Sequence, residues 1–223
     1  WSGWLSFGKW SPYIKRASVT GSEEDPVFMW HNVLHVGKGR AVQAQLRIYL
    51  YTDDERLTPR VWLLAASVRP VDGESEPPAL YSRALHLPAY SQKLRDPSLR
   101  DGMSTPVTLA GLLNRWGQDV LPEELGQSML DHGDADMGTR NFSFAAALAG
   151  CYGYRAYLAY LDPERLWQCI KQGDSVGVFM RYAASEEQAE ATGKAYLPGA
   201  FADVEAQMMA LRGFEIGTEG AFA

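Results

Sequence analysis

Cysteine is nearly absent: Cys151 and Cys169 are the only two in 223 residues. That excludes a disulfide-stapled scaffold, which needs several paired cysteines. The two thiols are expected to be reduced core residues, since free cysteine packs as a small hydrophobe, with a single bridge between them as the alternative. A surplus of positive charge is also missing. The net charge is -6, so a general nucleic-acid binder is excluded, because phosphate neutralisation needs clustered Lys and Arg. No apolar run approaches the roughly 18 residues of a membrane helix. The chain carries no Gly-x-Ser-x-Gly elbow, Ser-x-x-Lys pair, Walker loop, dinucleotide fingerprint or zinc-ligand spacing, so none of those chemistries has its residues. No cofactor and no metal is expected. No signal peptide is visible; the first residue is Trp1, consistent with a trimmed product.

What is present divides the chain. Residues 1–70 are predicted to be all-β. Trp4–Ser11 is short, aromatic and broken by Gly8, and Val27–Val36 is a second apolar run. Val42–Leu50 alternates apolar and polar residues, the period of a strand with one buried face, and Val61–Val68 is continuously apolar. Several short strands joined by turns point to a β-sandwich-like domain. Residues 71–88 read as a linker, because Val71–Pro78 is acidic and Pro-rich. Residues 89–223 read as α+β. A helix is expected over Pro106–Trp116, capped by Ser104 or Thr105 and stopped by Gly117. Further helices are expected over Pro122–Leu130, Phe142–Cys151 behind an Asn141 cap, and from Asp162 to about Lys171 before Gly173. Arg155–Leu161, Val176–Tyr182 and Ala206–Phe214 are strand candidates, with a hairpin at Ile216–Gly220.

Several polar clusters have ordinary explanations. Asp131, Asp134 and Asp136 are spaced like part of a calcium loop but lack the later carboxylate of an EF-hand, so a solvated turn is expected. Glu186, Glu187 and Glu190 read as a solvated charge run in a loop. Trp1, Trp4, Trp10, Trp30 and Trp62 concentrate in the first 70 residues. Aromatic core packing is the expected use, and a carbohydrate-binding platform is the alternative.

The stretch from Ser104 to Gly117 resembles the helix that opens the catalytic domain of papain-like cysteine peptidases, and in particular the double-glycine (bacteriocin-leader) peptidase-like family. There the helix begins Cys-Ser-Pro-Thr-Ser and ends Tyr-Trp-Gly. Here Pro106, the apolar stripe and Trp116-Gly117 match, but Ser104 stands at the cysteine position. By the same resemblance Gln92 takes the oxyanion-hole position. Asn141–Ala149 resembles the family's Asn-Trp-x-Phe-Asn-x-Ala helix. Counting back from Arg212-Gly213-Phe214 puts Gln207 at the histidine position. The orienting aspartate would fall beyond Ala223. Gly3-Trp4 and Phe7–Ser11 resemble the Gly-Trp-x-x-Phe-Gly-x-Trp-Ser of an N-terminal β-domain carried by several members.

The resemblance implies a papain-like domain over residues 89–223, an extracellular or cell-surface setting, and a peptide or protein partner. The chemistry of the matched positions does not follow the family. A serine hydroxyl stays protonated near neutral pH without a strong base, and glutamine has no proton to give or take there. A serine alone would fit an engineered variant; serine and glutamine together fit a peptidase-like binding protein better. Two alternatives stand beside it: an active hydrolase using Ser104 with a base among His31, His35, His86 and His132, or a carbohydrate- or surface-binding module acting through the tryptophans of the β-domain. A helix-capping role for Ser104 is compatible with each.

Overall fold

The computed structural model describes residues 1–10, 14–68, 82–200 and 207–214. It combines helices with short strands. In chain order these are β1 (Val27–Trp30), β2 (Val33–Val36), β3 (Arg83–Ala84), α1 (Ser104–Asn114), α2 (Pro122–Met129), α3 (Phe142–Cys151), α4 (Pro163–Gln172), β4 (Val176–Met180), α5 (Glu186–Thr192), β5 (Gln207–Leu211) and β6 (Gly213–Phe214). The strands pair antiparallel in twos: β1 with β2, β3 with β6, and β4 with β5.

Helix α1 is the centre of the packing. Eight of its eleven residues are buried, from Thr105 to Gly111 and then Leu113. Its Leu109, Ala110 and Leu113 meet Val120, Leu125 and Met129 from the α2 side and Ala145, Leu148 and Ala149 from α3. Each large apolar side chain so buried contributes about 1.5–3 kcal/mol. Close approach of α2 depends on Gly126, where a Cβ would already lie 3.4 Å from the Met103 sulfur and 3.5 Å from Pro106. The loop between α1 and α2 is closed by Asn114, whose side chain donates to the Val120 carbonyl and accepts from the Val120 amide. On the opposite side β4 and β5 lie against α1. The Thr108 hydroxyl donates to the Met208 carbonyl at 3.1 Å, and Gly177 leaves room for Met208, Thr108 and Leu112.

Helix boundaries follow the local chemistry. Asn141 accepts from the Ser143 and Phe144 amides at the start of α3, and Asp162 accepts from the Arg165 amide at the start of α4. Gly173, at φ 90°, ends α4 in the left-handed conformation that favours glycine. Helix α1 begins two residues before the expected Pro106, with Ser104 as its first residue. Neither Ser104 nor Thr105 is the cap; the residue in that place is Met103, which makes no side-chain cap bond. The glutamate run after Ser185 is a helix, α5, and not a loop: the Ser185 hydroxyl accepts from the Gln188 amide, and two glutamates occupy the favoured first turn.

The strand expectations fare less evenly. Residues 27–36 form a hairpin, but Val42–Leu50 and Val61–Val68 carry no strand, and neither does Trp4–Trp10 within the described residues. An alternating segment becomes a strand only when another strand supplies its hydrogen bonds. Among the described residues of this region only β1 and β2 do so for each other. Arg155–Leu161 is likewise irregular. The expected linker ends in structure, since Arg83–Ala84 is β3. Its acidic part and the hairpin expected at Ile216–Gly220 lie outside the described residues. Both cysteines are free, with Cys151 exposed and Cys169 half-buried, so they are not the core residues expected; burial, followed by the nearby Asp174 carboxylate, pushes the Cys169 thiol up. No helix among the described residues is long and apolar enough to cross a membrane.

Candidate functional site

Ser104 opens α1, where free backbone amides and the helix dipole favour negative charge. The segment leading to it is fixed from outside. The Thr139 hydroxyl, on the loop before α3, donates to the carbonyl of Gly102. Gln92 sits in a short 3₁₀ turn, Gln92–Leu94, in which the Ser91 hydroxyl accepts from the Lys93 amide. That turn packs on a second one, Arg100–Gly102, which runs directly into α1.

Gln92 is only 6% exposed, and its side-chain oxygen has no hydrogen-bond partner among the described residues. The Thr105 hydroxyl, next to Ser104 and 2% exposed, is also unpartnered. A buried polar atom without a partner costs about 1–3 kcal/mol. The two unpartnered atoms lie at the start of α1 and in the 3₁₀ turn that packs on the segment leading to it.

Gln207 is the first residue of β5. The Thr108 hydroxyl bonds the carbonyl of its neighbour Met208, and Thr108 lies one helical turn beyond Ser104 on the same face. The start of β5 is therefore set beside the first turns of α1. The Gln207 side-chain oxygen accepts from the Tyr182 hydroxyl at 2.7 Å. Burial pushes the Tyr182 phenol above its ordinary value, keeping it a donor across neutral pH. This contact was not visible in the sequence, because Tyr182 follows β4 and meets Gln207 only once β4 and β5 have paired, with Met180 opposite Gln207.

None of the four histidines hydrogen-bonds Ser104. His31 lies 3.6 Å from the Asp134 carboxylate. His35 stacks on Phe28 and meets the edge of Trp30. His86 and His132 are exposed. The acidic loop binds its own backbone: Asp131 accepts from the Gly133 and Asp134 amides, and Asp134 accepts from the Asp136 and Met137 amides. No group of three or more potential metal ligands occurs among the described residues.

Asp131, expected in a solvated turn, and Asn141, expected only as a cap, form a buried polar pair among the described residues. Asp131 and Asn141 are 2% and 1% exposed. Asp131 accepts from the Ser18 amide at 2.9 Å, and Asn141 donates to Asp131 at 3.4 Å and to the Asn32 side chain at 3.2 Å. Burial pushes the Asp131 carboxyl up, but the hydrogen bonds from Ser18, Gly133 and Asn141 outweigh it and hold the group below the usual carboxylate range. The pair ties the N-terminal segment to the helical part. Asn141 was legible as a cap; its partners 109 residues away were not.

The five tryptophans expected in a core are exposed instead, from Trp30 at 46% to Trp62 at 82% and Trp1 at 90%. Two of them face cations: the Arg47 guanidinium lies 4.0 Å from the Trp4 ring and that of Arg16 4.1 Å from the Trp10 ring.

No curated protein and no solved structure matches the chain. A family model described as Peptidase C39 N-terminal domain matches residues 1–68. The N-terminal third of the chain thus supports a relationship to the C39-like peptidases.

Proposed function

We propose that the chain is a peptidase-like protein whose residues 89–223 form a papain-like domain that binds a peptide or other extended ligand and does not cleave it. The observation that carries this is the state of the two matched positions: Ser104 has no histidine partner, and Gln207 is a neutral amide engaged by a phenol. Proton transfer needs a group that titrates near the working pH, and neither residue supplies one. Hydrogen bonding needs only donors and acceptors; the Gln92 oxygen and Thr105 hydroxyl are unpartnered but buried, so a ligand reaches them only when the turns before α1 open. The match of residues 1–68 to a peptidase-associated domain points to the same family relationship.

The test is titration with a synthetic peptide carrying a double-glycine leader sequence, followed by mass spectrometry of the mixture. Saturable binding with a Kd of about 1–100 μM is expected, with the peptide recovered intact and binding weakened about tenfold in Gln92→Ala. Absence of binding at millimolar peptide would overturn the proposal. So would cleavage that disappears in Ser104→Ala, which would establish the hydrolase reading.

The exposed tryptophans favour a second reading, in which residues 1–68 bind carbohydrate by stacking sugar rings on aromatic faces. The same titration with a soluble oligosaccharide in place of peptide separates the two. Tryptophan fluorescence quenched by sugar and lost in Trp62→Ala would support it, and an unchanged spectrum would remove it.

A further inference from the structure

The turn between β1 and β2 has two residues, His31 and Asn32, both with positive φ, at 47° and 66°. Such turns suit the twist of a hairpin but favour glycine, asparagine or aspartate. A histidine there is held at a conformational cost, and strain of this kind persists where surrounding contacts demand it. Those contacts are with Phe7, with Val19 and Thr20, which accept from the Asn32 and His31 amides, and with the loop spanning 131–141. The Asn32 side chain accepts from Asn141 and donates to the Phe7 carbonyl. His31 Nδ1 is buried, has no hydrogen-bond partner, and lies 3.6 Å from an Asp134 carboxylate oxygen.

Around this tip the two backbones meet closely. The His132 amide donates to the Arg16 carbonyl and the Ser18 amide to Asp131. A Cβ at Gly133 would lie 3.0 Å from the Ala17 Cβ and 3.1 Å from the Ser18 backbone. The charged and titratable groups on the elements around His31 are Asp131, His132, Asp134, Asp136 and Arg140 on the loop, Lys15 and Arg16 on the preceding segment and His35 on β2; Arg140 is turned onto the Asp136 and Met137 carbonyls. Arg16 is turned onto the Ser128 carbonyl and the Trp10 ring, and His35 onto Phe28 and Trp30. A charge gained by His31 therefore meets the Asp134 carboxylate first.

We propose that the His31–Asp134 contact is an acid-tightened latch joining the β1–β2 hairpin to the loop that precedes α3. Histidine is the side chain that changes charge between pH 5 and 8. Neutral, it sits beside Asp134 with an unfilled nitrogen; protonated, that nitrogen becomes a donor to a carboxylate. The latch adds attraction as pH falls and gives it up as pH rises. The same loop carries Thr139, which holds the Gly102 carbonyl two residues before Ser104, so a tighter latch also steadies the approach to α1. The proposal is independent of the peptide binding proposed above.

Hydrogen exchange of the full chain at pH 5.5 and 7.5 tests it, read as protection factors of the Ser18 and His132 amides after correction for intrinsic exchange. Wild type is expected to show about threefold higher protection at pH 5.5, in the range of a partly exposed ion pair. His31→Asn suits the positive φ, and Asp134→Asn keeps the oxygen that serves the Asp136 and Met137 amides. Both variants should fold and show equal protection at the two pH values, while His132→Gln should keep the threefold difference. Equal protection in wild type would overturn the latch. A difference that survives in either His31→Asn or Asp134→Asn, or that vanishes in His132→Gln, would overturn it as well.

Discussion

Gly213→Ala will unpair β3 from β6. An added Cβ would stand 2.1 Å from the Arg83 carbonyl oxygen and 2.7 Å from the Ala84 Cα. Both obstacles are backbone, so no change of side-chain rotamer relieves them. The register places Ala84 opposite Gly213 and Arg83 opposite Phe214, and the next bond along, from the Leu85 amide to the Arg212 carbonyl at 2.7 Å, shares the same approach. Helix α4 rests on both strands, and its Trp167 and Ile170 are buried. Separation of the strands therefore exposes apolar surface as well as hydrogen bonds. We expect a loss of about 3–5 kcal/mol in the free energy of unfolding, at the upper end of single substitutions, and loss of exchange protection at the Leu85 amide. Gly150→Ala is the control: nothing lies within 4 Å of a Cβ there, and in the last turn of α3 the change should stabilise by up to about 0.5 kcal/mol. A Gly213→Ala protein with an unchanged denaturation midpoint and a protected Leu85 amide would contradict the pairing.

Asn141→Ala should cost about 2–4 kcal/mol, more than an ordinary cap. Loss of a cap costs about 1 kcal/mol; here the substitution also strips donors from Asn32 and from the buried Asp131 carboxylate, and an unsatisfied buried group adds about 1–3 kcal/mol. The deficit should depend on pH. Asp131 has a depressed pKa, so it contributes stability above the unfolded carboxylate value, and that contribution is lost as pH falls through the folded value. Removal of the Asn141 donor raises the folded value, so acid unfolding should begin at a higher pH in the variant than in wild type. Thermal melts between pH 3 and 7 read this directly. Parallel melting curves for the two proteins across that range would show that Asn141 acts on the helix alone.

The helices were legible in the sequence wherever a cap and a stop bracketed an apolar stripe. Asn141, Asp162 and Gly173 sit at the predicted ends because capping is a local interaction between residues a few positions apart. Helix α5 was missed even though Ser185 and Gln188 carried the same kind of signal, since three glutamates outweighed it as evidence for a solvated loop. Strands were legible only where the partner is adjacent in sequence, as in β1–β2, or where the apolar run is strong, as in β4 and β5. The alternation of Val42–Leu50 describes a face, and a face does not name what covers it. For the candidate site, the positions of Ser104, Gln92 and Gln207 came from family resemblance and spacing. Tyr182 on Gln207, and Asn32 on Asn141, join residues 25 and 109 apart, and no local pattern encodes such pairs.

The Tyr182–Gln207 bond bears on how the chain could move back toward chemistry. On the papain-like reading, Ser104 and Gln207 stand at the nucleophile and histidine positions of a thiol enzyme. A phenol that now donates to the Gln207 amide oxygen would, after Gln207→His, point the same hydrogen at an imidazole nitrogen. That bond favours a neutral ring over the cation that must accompany a thiolate. On that reading a histidine at 207 serves a thiol at 104 only where the Tyr182 hydroxyl no longer donates to it.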